Sequence, residues 1–263
     1  MTDGLHGPVP NIDAYLDRIG ISQVRKPTLE FLDEVIYAHQ CNIPFDNLDI
    51  CDKGLSPSLA KADLFDKIVV RKRGGYCFEL NSLFFSLLQG LGFDVVPAMA
   101  RVLLRPIPHP AITHRTSIVT IDNTRYLADV GFGGPMPGFA VALEDGVCRS
   151  GFGQNFFVHA HDDYWIDLNY AGSSEEERPV MRICTMPSEE QDFVALSFFQ
   201  SQNPQSVFVT SRRANIRTTE GAVDLYNMTL TEYCSGQKTV VELADEQALD
   251  ETLGTKFGIC DWR

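Results

Sequence analysis

The chain has 263 residues, of which 44% are apolar, and it carries a formal net charge of −13. The apolar fraction is high enough to build a proper hydrophobic core. The diffuse negative charge argues against nucleic acid and anionic membrane as general partners, although a small anionic ligand responds to local charge more than to the total.

The first third of the chain is predicted to be helical. Apolar residues recur at helical spacing in four segments: NIDAYLDRIGI (11–21), TLEFLDEVIYAHQCNI (28–43), SLAKADLFDKIVV (58–70) and the run that follows Cys77. Thr28 and Ser58 are candidate N-caps, and Gly90 and Gly92 mark the end of the fourth helix.

The next part of the chain changes to short β-rich runs between turn residues. These runs are DVVPAMARVLL (94–104), ITHRTSIVTI (112–121), TRYLADVGF (124–132), NFFVHAH (155–161), DYWIDL (163–168) and PVMRICTM (179–186). Asp122-Asn123 separates two of them like a hairpin loop. Such a set of strands predicts a small barrel or sandwich. AGSSEEERP (171–179) is predicted to be a polar surface loop.

From about Glu189 the pattern is mixed. A helical pattern over 189–202 is followed by strand patterns over 207–219, 222–230 and 238–243, and by a closing helix over 244–259. The chain is therefore predicted to be helical first, then β, then mixed α/β, with boundaries near 90 and 190.

The cysteines and the N-terminal residues predict the cellular compartment of the protein. Seven cysteines, an odd number without a CxxC pair, favour a reducing cytosol over a disulfide framework. No apolar stretch approaches the roughly 18 residues of a membrane span. MTDGLHGPVP at the N-terminus has neither the basic start nor the apolar run of a signal peptide. We therefore expect a cytoplasmic protein that does not associate with membranes.

One cysteine lies where a thiol can act as a nucleophile. In RKRGGYCFELN (71–81), Cys77 opens a predicted helix behind three cations and a glycine pair. A helix N-terminus and nearby cations favour the thiolate, and glycines allow close backbone approach or positive φ. Free backbone N–H groups can also stabilise an oxyanion. An ordinary buried cysteine at a helix start remains the alternative on this stretch alone.

A catalytic cysteine needs a base and a group that orients the base. His114 and Asp129 lie on the two strands that flank the predicted hairpin loop. A two-residue loop would place His114 opposite Gly131 and make Asp129 its diagonal neighbour on the same face. A solvated surface pair would look the same in sequence. Together with Cys77, however, the two residues predict a Cys–His–Asp triad.

Other motifs form incomplete sites. His159 and His161 share a strand face but have no nearby third ligand, so no metal site is predicted. GFGG at 131–134 lacks the lysine and the Ser/Thr of a phosphate loop and is equally well explained as a tight turn. Three phenylalanines either line a pocket or belong to the core: Phe45, Phe132 and Phe208.

Along almost its whole length the chain resembles the arylamine N-acetyltransferases. RGGYCFELN is close to the family's cysteine motif, THRTSIV is similar to its histidine strand, and YLADVGFG is similar to its aspartate strand. DAYLDRIGI, KPTLEFLDEVIYAHQCNIPFDNLDI and SFFQSQNPQSVF resemble further segments of the family. The order and spacing of the three motifs make this combination specific.

The resemblance implies an α+β fold with a papain-like catalytic core. Residues 1–90 would form a helical domain that carries the nucleophile, 91–188 a β-barrel domain that carries histidine and aspartate, and 189–263 an α/β lid. Cys77 takes the position of the nucleophile, His114 that of the base and Asp129 that of the orienting group. The implied acceptor pocket contains Phe45, Phe132 and Phe208, and the implied acyl-CoA site lies near Thr113, Gly131 and Gly133.

The implied activity is a ping-pong transfer of an acetyl group from acetyl-CoA, the co-substrate, through a cysteine thioester to arylamines, hydrazines or N-hydroxyarylamines. Leu80, Ser197 and Gln202 depart from the family's pattern, and Gly134 and Met136 lie where acceptor selectivity varies, so the preferred amine stays open. A cysteine hydrolase or transglutaminase-like enzyme and a macrocycle-forming amide synthase of the same scaffold are the alternatives. The intact triad disfavours a non-enzymatic binder.

Overall fold

The computed structural model describes residues 4–172 and 176–263. The first three residues, and part of the polar loop predicted over 171–179, lie outside the described residues. Along the chain a helical part is followed by an antiparallel β part and a mixed α/β part, so the α+β prediction is confirmed. The domain boundaries near 90 and 190 stay a prediction.

The first part is built mainly from helices. They are α1 (Ile12–Ile19), α2 (Leu29–Asn42), α3 (Leu48–Cys51), α4 (Lys61–Phe65), which continues as a π-helical turn over Asp66–Val70, and α5 (Cys77–Gly90). Thr28 caps α2 as predicted, because its side chain accepts a hydrogen bond from the N–H of Phe31. The N-cap predicted at Ser58 is wrong. Its hydroxyl accepts from the N–H of Ala60 in the turn before α4.

The middle part is an eight-stranded antiparallel sheet in the order β5-β4-β3-β2-β9-β8-β7-β6. Its strands are β2 (Asp94–Val102), β3 (Ile112–Ile121), β4 (Thr124–Ala128), β5 (Val141–Ala142), β6 (Cys148–Gly151), β7 (Gln154–Ala160), β8 (Trp165–Gly172) and β9 (Arg178–Cys184). The sheet curves into a nearly closed barrel around buried side chains such as Phe156, Leu168 and Met181. β5 and β6 are too short for alternation to predict them.

The hairpin between β3 and β4 has the predicted loop. Asp122 and Asn123 have φ of 49° and 64°, as a type I′ turn requires, and Ile121 pairs with Thr124. The ladder continues only to Ser117, opposite Ala128. The predicted pairing of His114 with Gly131 is therefore wrong, because β4 ends at Ala128 and the chain then turns away from β3. His114 pairs instead with Ala100 on β2.

The last part combines a five-stranded antiparallel sheet with three helices among its described elements. They are α6 (Asp192–Gln202), α7 (Val207–Thr210), β10 (Arg213–Thr218), β11 (Gly221–Tyr226), β12 (Thr229–Cys234), β13 (Gln237–Glu242) and α8 (Glu246–Phe257). The sheet order is β1-β10-β11-β12-β13, where β1 is Phe45–Asp46 from the helical part. Across the described residues, no helix is both long enough and apolar enough to cross a membrane.

Two predicted strands of this part are wrong in detail. The run over 207–219 begins with α7, because Ser206 caps that turn by accepting from the N–H of Phe208. The run over 222–230 is two strands, since the chain reverses at Asn227, whose φ is 54°. Residue types that favour strands lie on both sides of the turn at Asn227, so the sequence pattern did not reveal this turn.

Helix α5 forms the centre of the helical part. Phe78, Leu83 and Phe84 on different sides of this helix are fully buried. A helix that is apolar all round lies inside a protein core. It packs against α4 on one side and against β2 and β3 on the other. Its first turn is thereby held where the helical part meets the barrel.

Candidate active site

The thiol of Cys77 lies at the first residue of α5 and is buried, with 2% of the residue exposed. A Cβ at Gly74 would come within 2.2 Å of the carbonyl oxygen of Pro44, so the chain before the cysteine passes too close for any other residue. Glu79 then accepts a hydrogen bond from the N–H of Tyr76 at 3.1 Å. These contacts fix the start of the helix and with it the position of the thiol.

Two of the three cations before the cysteine pair with carboxylates. Arg71 is exposed and pairs with Asp66. Arg73 is buried and lies 3.6 Å from Asp46 and 3.4 Å from Asp49. The guanidinium charges of these two arginines are therefore paired with carboxylates. The role of the three cations in ionising the thiol stays a prediction.

His114 and Asp129 form a buried pair beside the thiol. His114 Nε2 and Asp129 Oδ2 are 2.5 Å apart, and each residue is 2% exposed. Burial disfavours the imidazolium, but the carboxylate of Asp129 outweighs it, with a smaller contribution from the sulfur of Cys77, and raises the pKa of His114 to about 10. Burial also acts against the Asp129 carboxylate, yet His114 lowers the pKa of Asp129 overall. The structure thus brings the three predicted residues together.

Two amide side chains that the sequence reasoning missed hold Asp129 in place. Asn81 donates to Asp129 Oδ1 at 3.2 Å and accepts from the N–H of Val130 at 2.9 Å. Gln40 donates to the main-chain carbonyl of Asp129 at 2.9 Å. Asn81 lies four residues after Cys77, on the same helix face. A polar amide at that spacing in an apolar helix was the available sequence signal.

The glycines predicted for the acyl-CoA site have close contacts within the chain. A Cβ at Gly131 would lie 3.0 Å from the Cα of Cys77, and one at Gly133 would lie 2.7 Å from the ring of Phe45. Gly133 also has a φ of +65°. The carbonyl oxygen of Thr113 lies 4.0 Å from the sulfur of Cys77. All three predicted residues therefore adjoin the site, and their role towards acyl-CoA stays a prediction.

The three predicted aromatic residues surround the same region. Phe132 is edge-on to His114, with ring centres 5.4 Å apart. Phe45 is tilted against Phe208, with ring centres 6.2 Å apart. Phe45 and Phe132 both line an inner crevice of about 30 Å³. Phe208 does not line this crevice but supports Phe45 from the side.

The inner crevice continues into a larger cavity between the barrel and the last sheet. This outer cavity has a volume of about 800 Å³ and shares four lining residues with the crevice: Gly134, Asn215, Arg217 and Ala222. Its size is in the range of small-molecule sites. The arrangement provides a path from solvent to the neighbourhood of the triad.

A second buried ionic cluster adjoins His114 and was also missed. Arg115 is fully buried and donates to both oxygens of Glu190, at 3.0 and 2.5 Å. Lys61 donates to Glu190 at 2.9 Å. The sequence gives no local signal for this cluster, because Glu190 is 75 residues from Arg115 and 129 from Lys61.

The histidines considered for a metal have other partners. His159 is half-exposed and bonds to Glu177, and His161 lies 3.9 Å from Asp167. Within residues 4–172 and 176–263, no three potential ligands come together as a metal site.

An α+β fold with a papain-like core, in which a cysteine at a helix start adjoins a histidine–aspartate pair, defines a class of acyl-transferring enzymes. The profile of a family described as N-acetyltransferase matches residues 28–260. The chain belongs to the arylamine N-acetyltransferase family, and both the predicted family and the predicted enzyme class are confirmed.

Individual relatives are similar over nearly the full chain. The arylamine N-acetyltransferase of Mycobacterium tuberculosis is 32% identical over 95% of this chain and 89% of its own length. The Salmonella typhimurium relative, an arylamine N-acetyltransferase / N-hydroxyarylamine O-acetyltransferase, is 30% identical over 98% of this chain and 90% of its own. The Mycobacterium marinum enzyme solved in complex with CoA superposes with a TM-score of 0.89 at 32% identity, covering 95% and 93% of the two chains.

Proposed function

We propose that the chain transfers an acetyl group from acetyl-CoA to an arylamine, a hydrazine or an N-hydroxyarylamine, through a thioester on Cys77. The observation that carries the proposal is the buried His114–Asp129 pair beside a thiol at a helix start. The CoA complex of the M. marinum relative supports the donor, and the names of the relatives support the acceptor class.

The first half-reaction acylates the enzyme. With Nε2 bonded to Asp129, His114 has Nδ1 left to take the proton of the Cys77 thiol. The raised pKa of His114 favours a standing thiolate–imidazolium pair. The thiolate attacks the thioester carbonyl carbon, the bond from that carbon to the sulfur of CoA breaks, and the imidazolium protonates the departing sulfur. Free N–H groups of the first turn of α5 provide oxyanion stabilisation.

The second half-reaction returns the enzyme to its starting state. The neutral amine attacks the acetyl carbonyl on Cys77, a proton passes from the amine to His114, and the bond to the cysteine sulfur breaks. The products are the amide and the thiolate–imidazolium pair. Arylamines suit this step because they are weakly basic, stay neutral at pH 7, and stack on aromatic side chains such as Phe45 and Phe132.

Two further points belong to the same proposal. Thr113 and Gly131 adjoin Cys77, Gly133 adjoins Phe45, and all three would face the acyl end of acetyl-CoA. All seven cysteines are free. Free thiols support a reducing compartment such as the cytoplasm.

Intact-protein mass after mixing with acetyl-CoA, without an acceptor, tests the proposal. Wild type should gain one acetyl group, lose it when an arylamine is added, and Cys77→Ala should gain none. Cys260→Ser, which removes an exposed cysteine, is the matched control and should behave as wild type. An unacetylated wild type whose Cys77 still reacts with iodoacetamide would contradict acetyl-CoA as donor and direct the search to carrier-bound acyl groups or peptides.

A further inference from the structure

Strand β13 (Gln237–Glu242) is an open edge of the last sheet. It ends the strand order, so among the described residues one side of β13 has no partner strand, and all its residues are exposed. Helix α8, which follows β13, packs back against β10 at the far side of the sheet. The strand at the opposite edge, β1, is buried, and its Asp46 donates an N–H hydrogen bond to the carbonyl of Gly75 at 2.9 Å. A further strand can therefore pair at β13.

The hairpin with β12 determines which backbone groups of β13 face outward. Ser235 and Gly236, with φ of 49° and 81°, form a two-residue loop. The residue that follows such a loop, Gln237, directs its N–H inward to close the turn, and the direction alternates along an antiparallel strand. Six residues later the N–H of Leu243 again points inward, where it donates to the carbonyl of Met228 at 2.8 Å. The alternation therefore holds along the whole strand.

Three residues of β13 direct both backbone groups outward: Lys238, Val240 and Glu242. Their side chains share one face, because residues two apart in a strand do so. Lys238 lies over the ring of Tyr233, 5.8 Å from its centre, and Glu242 accepts from the hydroxyl of Thr229 at 2.8 Å. In the part of the chain that the structure describes, neither charge has a salt bridge. The edge thus carries a cation near one end, a valine in the middle and an anion at the other end.

This order of charges is complementary to itself. If a second copy approaches antiparallel, about a two-fold axis at Val240, Lys238 of each copy faces Glu242 of the other, and the two valines face each other. The outward N–H and C=O groups of these residues then bond across the axis. A shift of the register by two residues loses both charge pairs, and a shift by four places like charges opposite each other. One register therefore satisfies the hydrogen bonds and the charges together.

We propose that β13 is the interface of a homodimer, in which the two five-stranded sheets join into one ten-stranded sheet. Val240, which is 55% exposed in the single chain, is then covered by its own copy. Because β1 is buried, the assembly closes at two copies and does not extend into a filament. Paired strands of six residues bury little surface, so the dimer is weak and forms at about 10–100 µM. The interface is independent of the proposed acetyl transfer.

The test reverses the charges one at a time and then together. Sedimentation velocity from about 1 to 500 µM would be measured for wild type, Lys238→Glu, Glu242→Lys, an equimolar mixture of these two variants, and Val240→Pro. Lys26→Glu is the matched control, because it makes the same charge change at an exposed lysine before α2. Thermal unfolding of each variant checks that the fold is kept. Amide hydrogen exchange of residues 237–242 at low and high concentration locates the interface.

Wild type and Lys26→Glu should sediment as dimers at the highest concentrations. Lys238→Glu and Glu242→Lys each place like charges opposite each other at both ends, so self-association should weaken about 10-fold or more. Their mixture restores both charge pairs and should associate within about threefold of wild type. Val240→Pro should abolish the dimer and leave the fold intact, because the N–H that it removes points away from the sheet. Exchange of the β13 amides should slow as the dimer forms.

Different results would overturn different parts of the proposal. A wild type that stays monomeric at every concentration would overturn the homodimer and leave the edge to a strand of another protein. A dimer that persists in Val240→Pro, or that forms without protection of the β13 amides, would place the interface elsewhere. If the two charge variants lost the dimer and their mixture did not recover it, the proposed register would be wrong.

Discussion

Strand β3 carries two neighbouring residues that belong to different buried ionic clusters. His114 pairs with Asp129, and Arg115 pairs with Glu190 and, through it, with Lys61. Consecutive residues of a strand point to opposite faces, so one strand supplies both clusters. Both have short hydrogen bonds and almost no exposure to solvent.

The clusters differ in what their charges can do. In the first, the proton of His114 can move, because the imidazole adjoins a thiol and contacts Phe132, which lines a crevice that leads to solvent. The second cluster has a structural part, because the ion pairs of Arg115 and Lys61 with Glu190 join α4, β3 and the segment before α6. The comparison shows that burial of charge alone does not indicate catalysis. A neighbouring nucleophile and an accessible cavity are also needed.

The largest effect is expected from Asp129→Asn, which breaks the first cluster while keeping its shape. The new amide would donate to Nε2 of His114, so the ring proton would move to Nδ1, where it prevents the ring from accepting the proton of Cys77. We expect kcat/KM per folded molecule to fall about 10³- to 10⁴-fold, and stability to fall as well, because the buried His114 imidazolium loses its countercharge. Steady-state acetyl transfer, together with thermal unfolding of the same samples, measures both. Near-normal activity would remove Asp129 from its assigned role.

Glu190→Gln breaks the second cluster and should act on stability instead. It leaves two buried cations without a carboxylate, which destabilises a protein by about 3–5 kcal/mol. Acetyl transfer per folded molecule should stay within about threefold of wild type. Denaturant unfolding and activity at low temperature check the two parts.

The control for this variant is Glu177→Gln, in the half-exposed pair with His159. Its stability should change by no more than about 0.5 kcal/mol. If Glu190→Gln abolished acetyl transfer while unfolding as wild type does, the separation between the two clusters would be wrong.

Asn81→Ala tests how the first cluster is positioned. Asn81 donates a hydrogen bond to Asp129 but takes no part in the proposed proton transfers. Asp129 would lose one of the donors that orient it, so we expect kcat/KM to fall about 10-fold. Ser86→Ala on the same helix is the control, since its buried hydroxyl makes no hydrogen bond within the described part of the chain. A loss in both variants would point to a general disturbance of α5, whereas unchanged activity of Asn81→Ala would exclude the positioning role.

The smallest effect expected per pH unit is the dependence of stability on pH, in which the clusters oppose each other. The folded pKa of His114, about 10, lies above its ordinary value of 6.5, so its stabilisation is complete below about pH 6.5 and is lost as the pH rises through 10. The folded pKa of Lys61 is about 8, below its ordinary 10.5, because burial and Arg115 outweigh Glu190. Its contribution to stability therefore rises between pH 8 and 10.5.

Denaturant unfolding between pH 7 and 10 separates these contributions. Relative to wild type, stability of His114→Gln should rise with pH, and stability of Lys61→Met should fall above pH 8. Each slope is at most about 1.4 kcal/mol per pH unit. Parallel curves for all three proteins would show that neither group titrates as the structure indicates.

Local patterns account for much of what the sequence predicted correctly. Apolar spacing located α5, and Asp122-Asn123 predicted the two-residue hairpin loop, in which Ile121 pairs with Thr124. The prediction that brought His114 to Asp129 rested on a ladder that ends at Ala128. The two side chains nevertheless meet, because the chain after β4 turns across the start of α5 and is held there by Asn81.

The long-range partners had no local signal. β1 lies in the helical part, yet it pairs with β10 at a separation of about 170 residues, as in Phe45 with Asn215. The turn of α7 was predicted as a strand, because its sequence, VFVT, favours β structure. The side chain of Asn47, from the helical part, donates to the carbonyls of Phe208 and Ser211 and holds that turn.

The sequence by itself determined the helical, β and mixed zones, the thiol at a helix start and the residue types of the triad, because periodicity, turns and motifs act over a few neighbouring residues. The tertiary structure alone decided the partners of buried charges, such as Glu190 for Arg115 and Asn81 for Asp129. Buried charges are paired when segments that are far apart in the sequence pack together. Local sequence patterns extend over only a few residues and therefore do not indicate those pairs.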